Sequence, residues 1–147
     1  MTLKSKYAAV RKYSNFQKIL NGIIKDNEKE ILALNRDQMW EQGITDVNNP
    51  NSILQYAPST IQSKKKRAKY KRTDHITLKW TGDFHKGMFL KIEPDQFTIM
   101  SKNVPYQGFM EGRFGNALGL TAESKNELRK LIKNDLILGY KNAVQNA

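Results

Sequence analysis

The sequence predicts an α+β fold: a long N-terminal helix, a small antiparallel β-sheet with a central hairpin, and a C-terminal helix packed on that sheet. Three observations predict it. Apolar residues recur at helical spacing between about residues 14 and 42, the pattern changes to alternation between residues 75 and 101, and helical spacing returns from residue 122. The chain has 147 residues with no internal repeat and no low-complexity tract, so residues 14–147 read as a single domain. Residues 1–13 are polar and basic, with scattered Tyr7, Val10 and Tyr13, and read as a flexible basic arm or the frayed start of a helix.

The first helix places Phe16, Leu20, Ile23, Ile31 and Leu34 near one face, with Ile19 and Ile24 broadening it. Ser14 is the expected N-cap, Asn27 interrupts the stripe, and Gly43 is a natural stop. Residues 43–58 carry the glycine, asparagine and proline of loops. Ser59 is placed to cap a short, strongly basic helix over about 60–70.

Ile76, Leu78 and Trp80 alternate with Thr77 and Lys79, the period of a strand, and Thr81-Gly82-Asp83 breaks the run. Residues 88–93 and 96–101, joined by Pro94-Asp95, predict a β-hairpin, with Leu90 and Ile92 sharing a face and Phe97 and Ile99 sharing a face. Trp80 and Phe97 are expected in the core. Residues 102–120 are irregular and rich in glycine and aromatics; they form either a loop that adapts to a partner or an ordered surface loop. Thr121 then caps a helix from Ala122 to about Ala143, with Glu123 near its positive end and Leu128, Leu131, Ile132, Leu136 and Leu138 as apolar positions.

The composition argues against several chemistries. There is no cysteine, hence no disulfide framework, thiolate nucleophile or Cys-ligated zinc. His75 and His85 stand ten apart with no metal-ligand spacing, and both read as surface histidines. Asp74, Asp83, Glu93 and Asp95 read as turn formers and solubilisers rather than a magnesium site, and no phosphate-binding or nucleophile motif occurs. The expectation is a non-enzymatic protein without cofactor or metal. No apolar h-region follows Met1-Thr2-Leu3-Lys4 and no run is long enough to span a bilayer, so the protein is expected to be soluble and intracellular at synthesis.

A net charge of +11 points to a polyanionic or acidic partner. Seven of the nine residues from 64 to 72 are basic: Lys64, Lys65, Lys66, Arg67, Lys69, Lys71 and Arg72. Such a run either neutralises phosphates or faces an acidic protein surface, and Tyr70 within it could stack on a base. Trp40, Tyr106, Phe109 and Phe114 are candidate subunit-interface anchors or core residues.

The segment Thr77-Leu78-Lys79-Trp80-Thr81-Gly82-Asp83-Phe84-His85-Lys86-Gly87-Met88 resembles a stretch of the virion-morphogenesis and tail-completion proteins of tailed bacteriophages, where it likewise leads into a hairpin. Tyr106, Arg113-Phe114-Gly115 and the helix start Gly119-Leu120-Thr121-Ala122-Glu123-Ser124 extend the similarity. Leu34-Asn35-Arg36-Asp37-Gln38-Met39 is similar to tail-region proteins of phages infecting Bacteroides-type bacteria. The resemblance implies a structural role in the neck or tail of a virion assembled in the cytoplasm of a host bacterium. Its partners would be identical copies in a ring, neighbouring portal, neck or tail proteins and packaged DNA, with no membrane. The lysine-rich segment is heavier than the family pattern. The alternative is a small basic DNA- or RNA-binding protein that uses Lys64 to Arg72.

Overall fold

The two apolar runs around Pro94-Asp95 pair as expected. In the computed structural model, which describes residues 2–12 and 16–146, β1 (Met88–Ile92) and β2 (Phe97–Ser101) form a two-stranded antiparallel sheet. The register sets Leu90 opposite Ile99 and Ile92 opposite Phe97. Directly opposed residues project to the same face. Met88, Leu90, Ile92, Phe97 and Ile99 therefore make one apolar surface, while Phe89, Lys91, Thr98 and Met100 occupy the other. The Glu93 N–H donates to the Gln96 carbonyl at 2.8 Å to close the turn. An isolated hairpin is marginal in water, so the apolar face needs a cover.

Two helices supply it. α2 (Phe16–Asp26) and α3 (Glu28–Trp40) both pack on β1. Glu28 also accepts a hydrogen bond from the Leu90 N–H at 3.0 Å, which satisfies a backbone donor on the free edge of β1. The single long helix expected over 14–42 is thus corrected to two short ones. The break falls at Asn27, the residue that interrupts the apolar stripe, with φ −101° and ψ 19°. Its side-chain amide donates to the Ile23 carbonyl at 2.9 Å and to the Asp135 carboxylate at 2.8 Å. Asparagine competes in this way with regular helical bonding, and α2 ends and α3 begins on either side of it. The expected cap Ser14, and Tyr13, lie outside the described residues, as does the side chain of Val10.

α3 ends at Trp40, and the chain reverses through Gly43 at φ +71°, with the Ile44 N–H bonded to the Gln38 carbonyl at 2.8 Å. The buried His75 ring lies so close to Gly43 that a Cβ there would come within 2.7 Å of it. Only glycine satisfies both the left-handed backbone and this contact.

α6 (Ala122–Gln145) begins where expected. Thr121 is its N-cap, the Oγ1 accepting from the Ser124 N–H at 3.2 Å. α6 packs most closely on α1 (Leu3–Lys12), α2 and α3. Its Leu128, Leu131 and Ile132 share the apolar core with Ile99 and Phe97 of β2, beside a groove of about 550 Å³. Leu138, expected as an apolar contact, is exposed. Residues Leu3–Lys12, read as an arm or a helix start, are helical and lie against α6.

The alternation at Ile76–Trp80 does not yield a strand. Leu78 has φ +52°, and the segment bonds to loops instead: Ile76 N–H to the Leu54 carbonyl, Thr77 N–H to Tyr56 Oη, and Lys69 and Tyr70 N–H to the Trp80 carbonyl. Trp80 accordingly does not enter the core. It is 39% exposed, whereas Phe97 is half-buried on the apolar face.

The remaining long segment is fixed by two amides. Asn35 and Gln38, fully buried on α3, grip residues 117–121 as a neighbouring strand would. Asn35 Nδ2 donates to the Ala117 carbonyl at 2.9 Å and its Oδ1 accepts from the Gly119 N–H at 3.1 Å. Gln38 Nε2 donates to the Gly119 carbonyl at 3.0 Å and its Oε1 accepts from the Thr121 N–H at 3.0 Å. Replacing Gln38 by Leu strands the partly buried Gly119 carbonyl and the buried Thr121 N–H. The expected cost is about 3 kcal/mol of unfolding free energy, read by urea titration; a loss below about 1 kcal/mol would contradict the role assigned to this amide.

Candidate functional site

α4 (Pro58–Arg67) starts with proline at its first turn, where the fixed φ is preorganised and the missing N–H costs nothing. Its N-cap is Ala57, not Ser59, and no side chain caps it. The helical period then sorts its lysines. Lys64 falls on the inward face and is fully buried. Its Nζ donates to the carbonyls of Tyr70 and of Lys79, the latter at 2.7 Å, and lies 5.6 and 5.8 Å from the ring centres of Tyr56 and Trp80. Burial lowers its pKa from the usual lysine value. Lys64 is therefore structural and is withdrawn from the expected anion-binding set.

Arg72 is withdrawn for a different reason. It pairs with Asp74 at 2.8 Å and Glu41 at 2.9 Å, and its guanidinium lies 5.5 Å from the Trp40 ring centre. Hydrogen bonds to these two carboxylates raise its pKa, and the same contact lowers that of Asp74. Lys65, Lys66, Arg67, Lys69 and Lys71 remain exposed, and among the described residues none of the five makes an ion pair. They form a basic edge along the end of α4 and the turn after it.

Tyr70 is not free to stack on a base. Trp40 meets it edge-on at 5.8 Å, Lys79 Nζ sits 4.3 Å from its ring centre, and a Cβ on Gly82, which has φ +93°, would approach it to 2.7 Å. The ring of Trp40 is held by the same group, with Lys79 Nζ at 4.7 Å. Nothing in the sequence pattern had singled out Lys79, because the contact joins segments about forty residues apart in the chain.

Of the other interface candidates, Phe109 is in the core, packed edge-on against Phe84 at 5.3 Å. Phe114 is half-buried against Phe109 at 5.5 Å. Tyr106 is 60% exposed while keeping an edge contact to Phe109 at 5.4 Å. Phe109 is the pin that holds the glycine-rich loop to the body.

Beside the basic edge opens a cleft of about 990 Å³. Tyr56, Leu78, Trp80, Phe84, Val104 and Phe114 are among its apolar lining, and Lys79, Lys102, Arg113 and Asp83 are its charged residues. The segment Trp80 to Asp83 forms one wall. It is shaped by Gly82 and by Thr81, whose hydroxyl donates to the Asp83 carboxylate at 2.7 Å. It leads into the short α5 (Asp83–Lys86), whose last carbonyls are taken by Asn103 Nδ2, Ser101 Oγ and Arg36 Nε. Leu78, also in the wall, holds its left-handed backbone at a cost of about 1–3 kcal/mol. Strain of this kind persists where the surroundings over-determine a conformation.

Both histidines are buried, contrary to the surface reading. His75 Nε2 bonds the Trp40 carbonyl at 2.9 Å, beyond the end of α3. His85 Nε2 donates to the Thr77 carbonyl at 3.0 Å, and its Nδ1 has no hydrogen-bond partner among the described residues. Burial, with help from Lys79 and Arg36, pushes the pKa of His85 down to about 4 despite the Thr77 bond.

Among the described residues no three His, Asp or Glu side chains gather as metal ligands, and no helix is long and apolar enough to cross a membrane. No protein-family model, curated protein or solved structure matches the chain.

His85 gives the fold an acid sensitivity of defined sign. Its folded-state pKa of about 4 lies below the ordinary 6.5, so the unfolded chain takes up the proton first as pH falls. Stability should drop between pH 6.5 and about 4, by about 3 kcal/mol over the whole window, and His85 adds nothing further below it. His85→Gln, which keeps a donor for the Thr77 carbonyl, should flatten this limb in urea titrations at a series of pH values. An unchanged slope would contradict the assignment.

Proposed function

We propose that this protein is a structural component of the neck or tail of a tailed bacteriophage, acting in tail completion or head–tail connection as a ring of identical subunits. The observation that carries the reading is the edge of five exposed cations, none in an ion pair among the described residues, on a chain of net charge +11. A subunit beside a DNA channel benefits from such an edge, because phosphates release counterions when lysine and arginine neutralise them. The similarity of residues 77–88 and 119–124 to the tail-completion family supports the same placement. Head-to-tail contacts between identical subunits close into rings when the rotation permits, and the exposed Tyr106 and half-buried Phe114 offer aromatic surface for such a contact. The reading requires no catalytic step.

The test is electron microscopy of the virion and of the co-expressed neck proteins. The expected result is a ring between portal and tail with residues 65–71 facing the channel or an acidic neighbour. A monomer absent from the particle would overturn it.

The same cations favour a second reading, a small basic DNA- or RNA-binding protein. Both readings predict that changing Lys65 and Lys66 to Ala lowers the slope of log affinity against log salt for duplex DNA by roughly 2. Lys64→Met should leave that slope unchanged, because the buried ammonium reaches no phosphate. Fluorescence anisotropy over a salt series measures both. The readings part at the particle: only the first places the chain in the virion.

A further inference from the structure

We propose that the cleft beside the basic edge is a docking site for an acidic, aromatic-containing peptide segment of a partner protein. The inference does not depend on the virion reading, since it rests on the cleft alone.

The shape and chemistry of the cleft select this occupant. At about 990 Å³ it has room for several side chains at once. Its interior is apolar, with aliphatic Ile76, Leu78, Val104 and Pro105 alongside the aromatics. Phe, Leu or Trp side chains fill such a mixed aromatic and aliphatic space, and the oligothymidylate arm of the test below covers a base stacking on its rings. Apolar surface is left open to water at its edge, with Trp80 39% and Val104 42% exposed. These are the residues that a partner would desolvate.

Charge fixes the sign of the peptide. Three cations line the cleft, Lys79, Lys102 and Arg113, against the single carboxylate of Asp83. That carboxylate already accepts the Thr81 hydroxyl at 2.7 Å. Lys102 and Arg113 rest near the rings of Phe89 and Phe114, at 5.3 and 5.8 Å, and neither makes an ion pair among the described residues. Both can turn to a carboxylate by rotating exposed side chains. The resulting pattern is an aromatic or aliphatic anchor against Trp80 and Phe114, flanked by aspartate or glutamate. The wall that presents Trp80 includes the strained Leu78 and is tied down through the Trp80 carbonyl, which accepts from the Lys69 and Tyr70 N–H groups. An ordered wall of this kind lowers the entropy cost of binding.

The test uses a fluorescein-labelled peptide of about ten residues that alternates aspartate with phenylalanine and leucine. It is compared with one bearing lysine for aspartate, one bearing serine for the apolar residues, and a single-stranded oligothymidylate, all by anisotropy at about 0.15 M salt. The acidic apolar peptide should bind best, and Trp80→Ala and Lys102→Glu should each weaken it roughly tenfold. Lys66→Glu, on the basic edge, should weaken it by less than about twofold. Lys102 is exposed, so its variant retains the fold even if Trp80→Ala does not, and circular dichroism checks both. Equal binding of the serine peptide, no effect of Lys102→Glu, or oligothymidylate binding more tightly and displacing the peptide would each overturn the proposal. The last result would assign the face to nucleic acid.

Discussion

The grip of two buried amides on a passing chain is the constraint from which the rest of this structure follows. Asn35 and Gln38 make four hydrogen bonds to the backbone of residues 117–121, in a place where a strand would otherwise have to lie. By fixing that segment they set where the glycine-rich loop must return and where α6 must start, because Thr121 both bonds Gln38 and caps the helix. The loop between the hairpin and Thr121 is then short of freedom, and Phe109 takes up the slack by entering the core. An apolar residue at either amide position would suit the helical stripe of α3 as well, but it would leave the backbone of 117–121 without partners in the interior. Unmet backbone groups cost more than an apolar contact returns.

How a basic run behaves depends on helix geometry as much as on composition. Seven cations in nine residues look equivalent in the sequence. A period of 3.6 sends Lys64 inward while Lys65, Lys66 and Arg67 stay outside, and the fold then brings Glu41 and Asp74 to Arg72. The anion-facing group is smaller than the run that suggested it, but it is concentrated on one edge. The same fold places Lys79, Lys102 and Arg113, scattered along the chain, around one cleft.

Much of the local structure was legible. The hairpin and the Thr121 cap both follow from alternation and turn chemistry within a few residues of each position. The errors arise where local pattern meets a distant partner. Ile76–Trp80 has a strand's alternation, yet Leu78 takes φ +52° and the segment bonds to Leu54, Tyr56, Lys69 and Tyr70, partners that lie in loops. His75 and His85 gave no periodic signal, and their burial depends on the Trp40 and Thr77 carbonyls. Asn27 was visible as an interruption, but its bond to Asp135, more than a hundred residues away, was not. The basic edge was readable from composition, whereas the cleft was not, since its lining comes from four separate stretches of the chain.

The buried ammonium of Lys64 behaves much as a bound metal ion would. Two carbonyls and two ring faces surround it, and they belong to the loop after α4, to the segment before α5 and to residue 56. These stretches share no regular secondary structure, yet one cation clasps them into a plate. The lysines just outside are consequently mounted on a stiff support rather than on a swinging turn. A polyanion or acidic partner meets them already in position, so less chain ordering has to accompany binding, and one lysine removed from the surface makes its neighbours more effective.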